Sequence, residues 1–177
     1  MFRNISVLLV CSVFTQCLAN PDCSQPPKTE VFTDCCAQAG IMKDILKDCN
    51  KKFPPQANHD NFCNGECVFN ETGISVNGVI QKDKLPVILA EFYQDMLDVV
   101  PIAIEMIGKC TRMVEPELVR VLENKPDKAD DCNPLPALLS KCFFTEMFLH
   151  CPASIWQNTE NCNHAKEFLK HCPKHQG

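Results

Sequence analysis

"CFFTEMFLHCP", residues 142–152, decides how the chain is read. Cys142 and Cys151 bracket eight residues, five of them large and apolar: Phe143, Phe144, Met147, Phe148 and Leu149. Pro152 follows at once and forbids the segment to continue as helix. In a helix, the nine steps between the cysteines amount to about 900° of rotation and about 13.5 Å of rise. The two sulfurs then leave opposite sides of the helix and lie too far apart to bond each other. Each must reach a different neighbour, so the segment is a helix pinned between two others.

The rest of the chain supports that frame. Arg3, the apolar run "ISVLLVCSVF" and the small residues of "CLA" read as a secretory leader, residues 1–19, cleaved after Ala19. The run is too short to span a membrane comfortably, and no other segment qualifies. The mature chain is then 20–177, one domain, with an N-terminal arm at 20–33 and an extra cysteine-bearing segment at 153–177. Of 14 cysteines, Cys11 and Cys17 leave with the leader, so 12 remain. An even count in an oxidising compartment implies six disulfides. Loss of Arg3 leaves 16 basic against 22 acidic residues, a net charge of −6. That balance disfavours nucleic acid and anionic membrane surfaces as partners.

Helical periodicity dominates, and no strand is expected. A helix is predicted from Asp34, its N-cap, through Ile41, Met42, Ile45 and Leu46 to the lysines ending at Lys52. "FCNGECVF" places Cys63 and Cys67 four apart on one face of a short helix. Leu85, Ile88, Leu89, Phe92, Met96 and Val99 form the strongest stripe, with Pro86 in the first turn and Pro101 breaking or kinking the end. Helices follow around Ile104–Val114, from Pro116, from Asn133 or Pro134 to Pro152, and in "NCNHAKEFLKHC". The fold class is all-α, a compact bundle of six to eight short helices. Adjacent Cys35 and Cys36 diverge by about 100° and are expected to take separate partners.

The cysteine spacing from 49 to 172 resembles the insect odorant-binding proteins, in particular their Plus-C subgroup. Three residues separate Cys63 from Cys67, then 42 lead to Cys110, 21 to Cys132, nine to Cys142 and eight to Cys151. Pro152 follows directly, with ten residues before Cys162 and nine before Cys172. "CVFNETGISVNGVIQKDKL" also matches the turn that follows the paired cysteines in that family. The resemblance implies three interlocked bridges: Cys63–Cys142, Cys110–Cys151, and Cys67 to Cys49, with Cys36 as the rival first cysteine. Cys23, Cys35, Cys36, Cys132, Cys162 and Cys172 would form three more, with partners left open. A map lacking Cys63–Cys142 or Cys110–Cys151 is expected to remove the family assignment itself.

The resemblance further implies an apolar cavity, no cofactor and no catalysis. The ligand would be a small hydrophobic molecule of odorant or pheromone type, carried in sensory lymph. A membrane chemoreceptor is the implied partner, and the carrier would be a monomer or weak homodimer. Candidate cavity walls are Phe69, Ile88, Phe92, Met96, Ile104, Ile107, Leu139, Phe143 and Met147, with Tyr93 offering one hydrogen bond. Such stripes more often form plain core, and a secreted interaction protein with a filled core is the competing reading. Trp156 is expected to pack rather than to stack on ligand. His150 is a candidate pH sensor, and Asn70 of Asn-Glu-Thr a glycan acceptor.

Enzyme and metal readings fare poorly. Cys35-Cys36 is followed by Ala-Gln-Ala-Gly, not by the His-Asp of a secreted phospholipase, and no hydrolase or phosphate motif occurs. His59, Cys63 and Cys67 mimic a metal face, but in this compartment the sulfurs are expected in disulfides. His171 and His175 are read as exposed tail residues.

Overall fold

The computed structural model describes residues 21–28, 31, 34–36, 40–54, 61–76, 78–124 and 132–172. The expected leader, His59 and His175 lie outside them. Seven α-helices run through the described residues: α1 (Gly40–Lys52), α2 (Phe62–Glu71), α3 (Leu85–Phe92), α4 (Val100–Met113), α5 (Glu115–Glu123), α6 (Pro134–Leu149) and α7 (Glu160–His171). The fold is all-α, cross-linked by six disulfides.

Local chemistry sets the helix ends. The Asn61 side chain accepts from the Asn64 amide and caps α2, and at its other end the Thr72 hydroxyl donates to the Val68 carbonyl. Asn133 caps α6 by accepting from the Leu135 amide, with Pro134 and Pro136 in the first turn. Thr159 accepts from the Cys162 amide at the start of α7. Between α2 and α3, β1 (Ser75–Val76) pairs antiparallel with β2 (Val79–Ile80), around Gly78 at φ +76°. This hairpin corrects the expectation of no strand; two residues per strand are too few to leave a periodic signal.

Two other expectations change. The helix expected from Asp34 does not run through: it is interrupted at Cys36, and α1 begins at Gly40. Asp34 and Cys35 are helical, but Cys36 forms an extended bridge with Trp156. The long stripe from Leu85 is not one helix. It breaks after Phe92, passes a 3-10 turn at Leu97–Val99 and restarts at Val100. Pro101 therefore sits in the first turn of α4, where its missing N–H leaves no bond unmade, and starts a helix instead of ending one.

Helix α6 carries apolar side chains on more than one face because it serves two cores. Leu139, Phe143 and Met147 join the main cluster with Leu89, Val99, Ala103 and Cys110. Phe148 faces a smaller cluster of Cys35, Cys162, Ala165 and Leu169, flanked by Val31, Leu149 and Trp156. Trp156 meets Phe148 edge to face at 5.2 Å, donates from Nε1 to Asn163 Oδ1, and lies under the Lys166 ammonium at 4.6 Å. All three contacts suit an indole at a core edge.

The most extensive helix contact is α2 on α6. It is close because Gly65 meets Ala137 with no side chain between them. A Cβ at Gly65 would lie 2.6 Å from the Ala137 nitrogen and closer still to its Cα.

Candidate functional site

A cavity of about 260 Å³ lies between α1, α2 and α6. Its walls are Leu46 of α1; Asn61, Phe62, Asn64, Gly65 and Val68 of α2 and its cap; and Ala137, Leu138, Ser140, Lys141 and Phe144 of α6. Apolar side chains dominate: Leu46, Phe62, Val68, Leu138 and Phe144. Two polar residues of the wall are held by the chain. Asn61 donates to the Phe53 and Pro54 carbonyls, and Asn64 donates to Asn50 Oδ1 and the Phe53 carbonyl. Ser140 differs. Its Oγ is covered from solvent and has no hydrogen-bond partner, an arrangement that costs about 1–3 kcal/mol. Lys141 is exposed at the rim.

None of the ten wall residues expected from the sequence borders this cavity. All ten share the main apolar cluster. Phe69, Tyr93, Ile107, Leu139, Phe143 and Met147 are buried there, with Ile88, Phe92, Met96 and Ile104 packed against them. Burial pushes the Tyr93 phenol above its ordinary value of 10.0. The cavity takes the adjacent face of each helix: Val68 beside Phe69, Leu138 beside Leu139, Phe144 beside Phe143. One residue is a 100° turn, so a stripe analysis that favours the most buried face passes over its neighbour. Gly65 and Ala137 were the available signal, as small residues where two helices cross.

Sequence reasoning also missed a buried charge. Glu146 is 7% exposed within the apolar part of α6. The Lys109 ammonium of α4 reaches its Oε2 at 2.6 Å, and His150 Nε2 lies 3.3 Å from the same oxygen. His150 itself is the exposed C-cap of α6. His171 is half exposed, 3.4 Å from Glu167. Asn70 is exposed on α2, accepting from the Ser75 hydroxyl.

All 12 cysteines of the expected mature chain are paired: Cys23–Cys172, Cys35–Cys162, Cys36–Cys151, Cys49–Cys67, Cys63–Cys132 and Cys110–Cys142. Cys49 is thus the partner of Cys67, and Cys36 is not. Cys35 and Cys36 take separate partners, and Cys142 and Cys151 reach different elements, as helical geometry required. The expected Cys63–Cys142 and Cys110–Cys151 bridges are absent; Cys132 and Cys142 hold those places. The interlock persists one cysteine upstream. Among Cys49, Cys63, Cys67, Cys110, Cys132 and Cys142, the first pairs with the third, the second with the fifth and the fourth with the sixth. The physical reason is the position of Cys132. It precedes the cap of α6 and so meets α2 where the helices cross, whereas Cys142 lies further along α6, beside α4.

Comparison with known proteins decides what this scaffold is. A family model described as AgamOBP47-like matches residues 38–168. The chain belongs to this odorant-binding-protein family. Odorant-binding protein 47 of Anopheles gambiae is 23% identical to it, over 96% of this chain and 79% of that protein. The interlocked bridges therefore sit within an insect odorant-binding protein of the Plus-C type, although Cys63–Cys142 and Cys110–Cys151 are both absent, which corrects the expectation that membership stands or falls with them. The family is one of carriers of small hydrophobic molecules, not of enzymes. No helix among the described residues is long and apolar enough to cross a membrane.

Proposed function

We propose that this chain is a secreted, non-enzymatic carrier that takes up small hydrophobic molecules of odorant or pheromone type and releases them unchanged. Family membership carries the reading, and an apolar interior held by six bridges supports it. Those bridges each contribute about 2–4 kcal/mol, so the scaffold does not depend on a filled interior for its stability. The mature carrier begins at Asn20, works in extracellular fluid as a monomer or weak homodimer, and delivers to a membrane chemoreceptor. Its core binding face is the ten residues Phe69, Ile88, Phe92, Tyr93, Met96, Ile104, Ile107, Leu139, Phe143 and Met147. Binding is driven by desolvation, about 25 cal/mol per Å² of apolar surface removed from water.

The test is displacement of N-phenyl-1-naphthylamine fluorescence by a panel of small volatiles. Saturable displacement by some and not others is expected. A probe that neither binds nor is displaced ends the carrier reading. It would favour an interaction protein with a filled core, a reading to which the tight packing of those ten residues lends weight.

A further inference from the structure

Asn70-Glu71-Thr72 has the acceptor pattern of N-linked glycans, and the fold treats its outer two residues in opposite ways. Asn70 is exposed near the C-terminal end of α2, whereas Thr72, the C-cap of that helix, is 6% exposed. The Asn70 amide is turned by its partner. Its Oδ1 accepts from the hydroxyl of Ser75 at 3.1 Å, and Ser75 is itself buried. Among the described residues its Nδ2 makes no hydrogen bond. A glycan is joined at Nδ2 and leaves Oδ1 an acceptor, so the bond from Ser75 survives the modification and the sugar leaves toward solvent.

The same fold closes this tripeptide to the enzyme that would modify it. Transfer needs the threonine hydroxyl and the backbone of the tripeptide to be reachable, which is why acceptors belong to surface loops. Here Asn70 and Glu71 form the last turn of α2. The Thr72 hydroxyl donates to the Val68 carbonyl at 2.8 Å and lies 3.1 Å from that of Phe69, while the Thr72 amide also donates to Val68. Phe69 and Ile74 on either side belong to the main core, so opening this turn draws both toward water. Cys67, three residues before Asn70, ties the helix to Cys49 of α1.

We propose that Asn70 carries an N-linked glycan that is added while the chain is unfolded, before the Cys49–Cys67 bridge closes, and that the finished protein cannot acquire. The donor class is an oligosaccharide joined through C1 to a lipid pyrophosphate. The bond from C1 to the pyrophosphate oxygen breaks, a bond from C1 to Nδ2 forms, the lipid pyrophosphate leaves, and Nδ2 gives up one proton. The inference rests on the secretory route of the carrier reading and not on any ligand.

The experiment expresses the full chain, leader included, in insect cells. Peptide N-glycosidase A in heavy-oxygen water is expected to convert Asn70 of the secreted protein to labelled aspartate, read by peptide mass spectrometry. Asn70→Gln is expected to lose the oligosaccharide mass, and Thr72→Ser to keep it. Bacterially made mature chain, oxidised to its six bridges, is then offered to microsomal oligosaccharyltransferase beside the same chain reduced and alkylated. Only the reduced chain is expected to accept. Secreted protein unmodified at Asn70 would overturn the site and leave the carrier reading standing. A chain retained in the cytosol would overturn the secretory route and the site with it. Oligosaccharide mass that survives Asn70→Gln would place the sugar elsewhere and overturn the assignment. Equal acceptance by the oxidised and reduced chains would overturn the order of events, as would failure of the reduced chain to accept.

Discussion

Gly65→Ala is a sensitive test of the packing that builds the cavity. Alanine in place of glycine within a helix normally stabilises by about 1 kcal/mol. Here the new Cβ would meet Ala137 backbone, at 2.6 Å from its nitrogen. Ordinary contact begins near 3.4 Å, so α2 and α6 must part by roughly 1 Å. Separation is resisted on both sides of Gly65. Cys63 ties α2 to Cys132 just ahead of α6, and Cys67 ties it to Cys49 of α1. Overpacking of this kind costs about 1–3 kcal/mol, occasionally more, and the bridges place it at the upper end. The net expectation is a loss of about 2 kcal/mol after the helix-propensity gain. Ala137→Gly should not rescue it, because the clash is with the Ala137 nitrogen and Cα as well as its Cβ. Guanidinium unfolding of the oxidised protein, followed by far-ultraviolet dichroism, gives the number. A Gly65→Ala protein as stable as the parent, or full rescue by Ala137→Gly, would refute the close crossing and with it the shape of the cavity.

Three further outcomes follow from named contacts. Cys110→Ser with Cys142→Ser removes a bridge closing 32 residues, worth about 3–4 kcal/mol in the chain-entropy account, and leaves no free thiol by Ellman titration. Cys63→Ser with Cys142→Ser should leave two, Cys132 and Cys110; the reverse thiol counts would restore the pairing first implied by the family resemblance. Lys109→Met strands the Glu146 carboxylate and should cost about 1–3 kcal/mol, discounted because Lys109 is partly solvated. Adding Glu146→Met should recover most of that loss in the same unfolding assay, and a double variant worse than the single would contradict it. Tyr93, the single tyrosine, is held above its ordinary 10.0 by burial. The native state then keeps a proton that the unfolded state has lost, so the contribution of Tyr93 to stability is level below pH 10 and falls above it. Tyrosinate absorbance at 295 nm should rise above pH 10 together with unfolding, and ionisation at 10 in an intact fold would oppose the assignment.

How far the sequence carries is visible in α6. Its start near Asn133 or Pro134, its end by Pro152 and the divergence of Cys142 from Cys151 are local matters, and all were legible; the cap made by the Asn133 side chain was not read. The partners were not. Gaps of nine residues before Cys142 and eight after it are nearly alike, so the spacing pattern slides by one cysteine with little penalty. Rotation along one helix shows which way a sulfur leaves, not what waits there. The broken stripe from Leu85 to Val99 misleads for a related reason. Met96 and Val99 still pack on the core across the 3-10 turn, so the burial pattern continues where the helix does not. Glu146 escaped notice because its partner Lys109 is 37 residues away.

The cavity was hidden by the assumption that the most apolar face of a helix is the one that meets a ligand. In this protein that face also packs the helices together. Leu139, Phe143 and Met147 bind α6 to the main core, and Phe148 binds it to the α7 cluster, so α6 has little apolar surface left. What remains is the side that meets α2, where Gly65 and Ala137 bring the backbones together and bridges from Cys63 and Cys67, on either side of Gly65, hold α2 in place. Side chains there do not have to fill all the space for the contact to persist. A mixed face of Ala137, Ser140, Lys141 and Phe144 is poor as core and suitable as a lining. The covalent frame thus separates two tasks that most small domains combine: the core faces hold the helices, and the α2–α6 face is free to stay open.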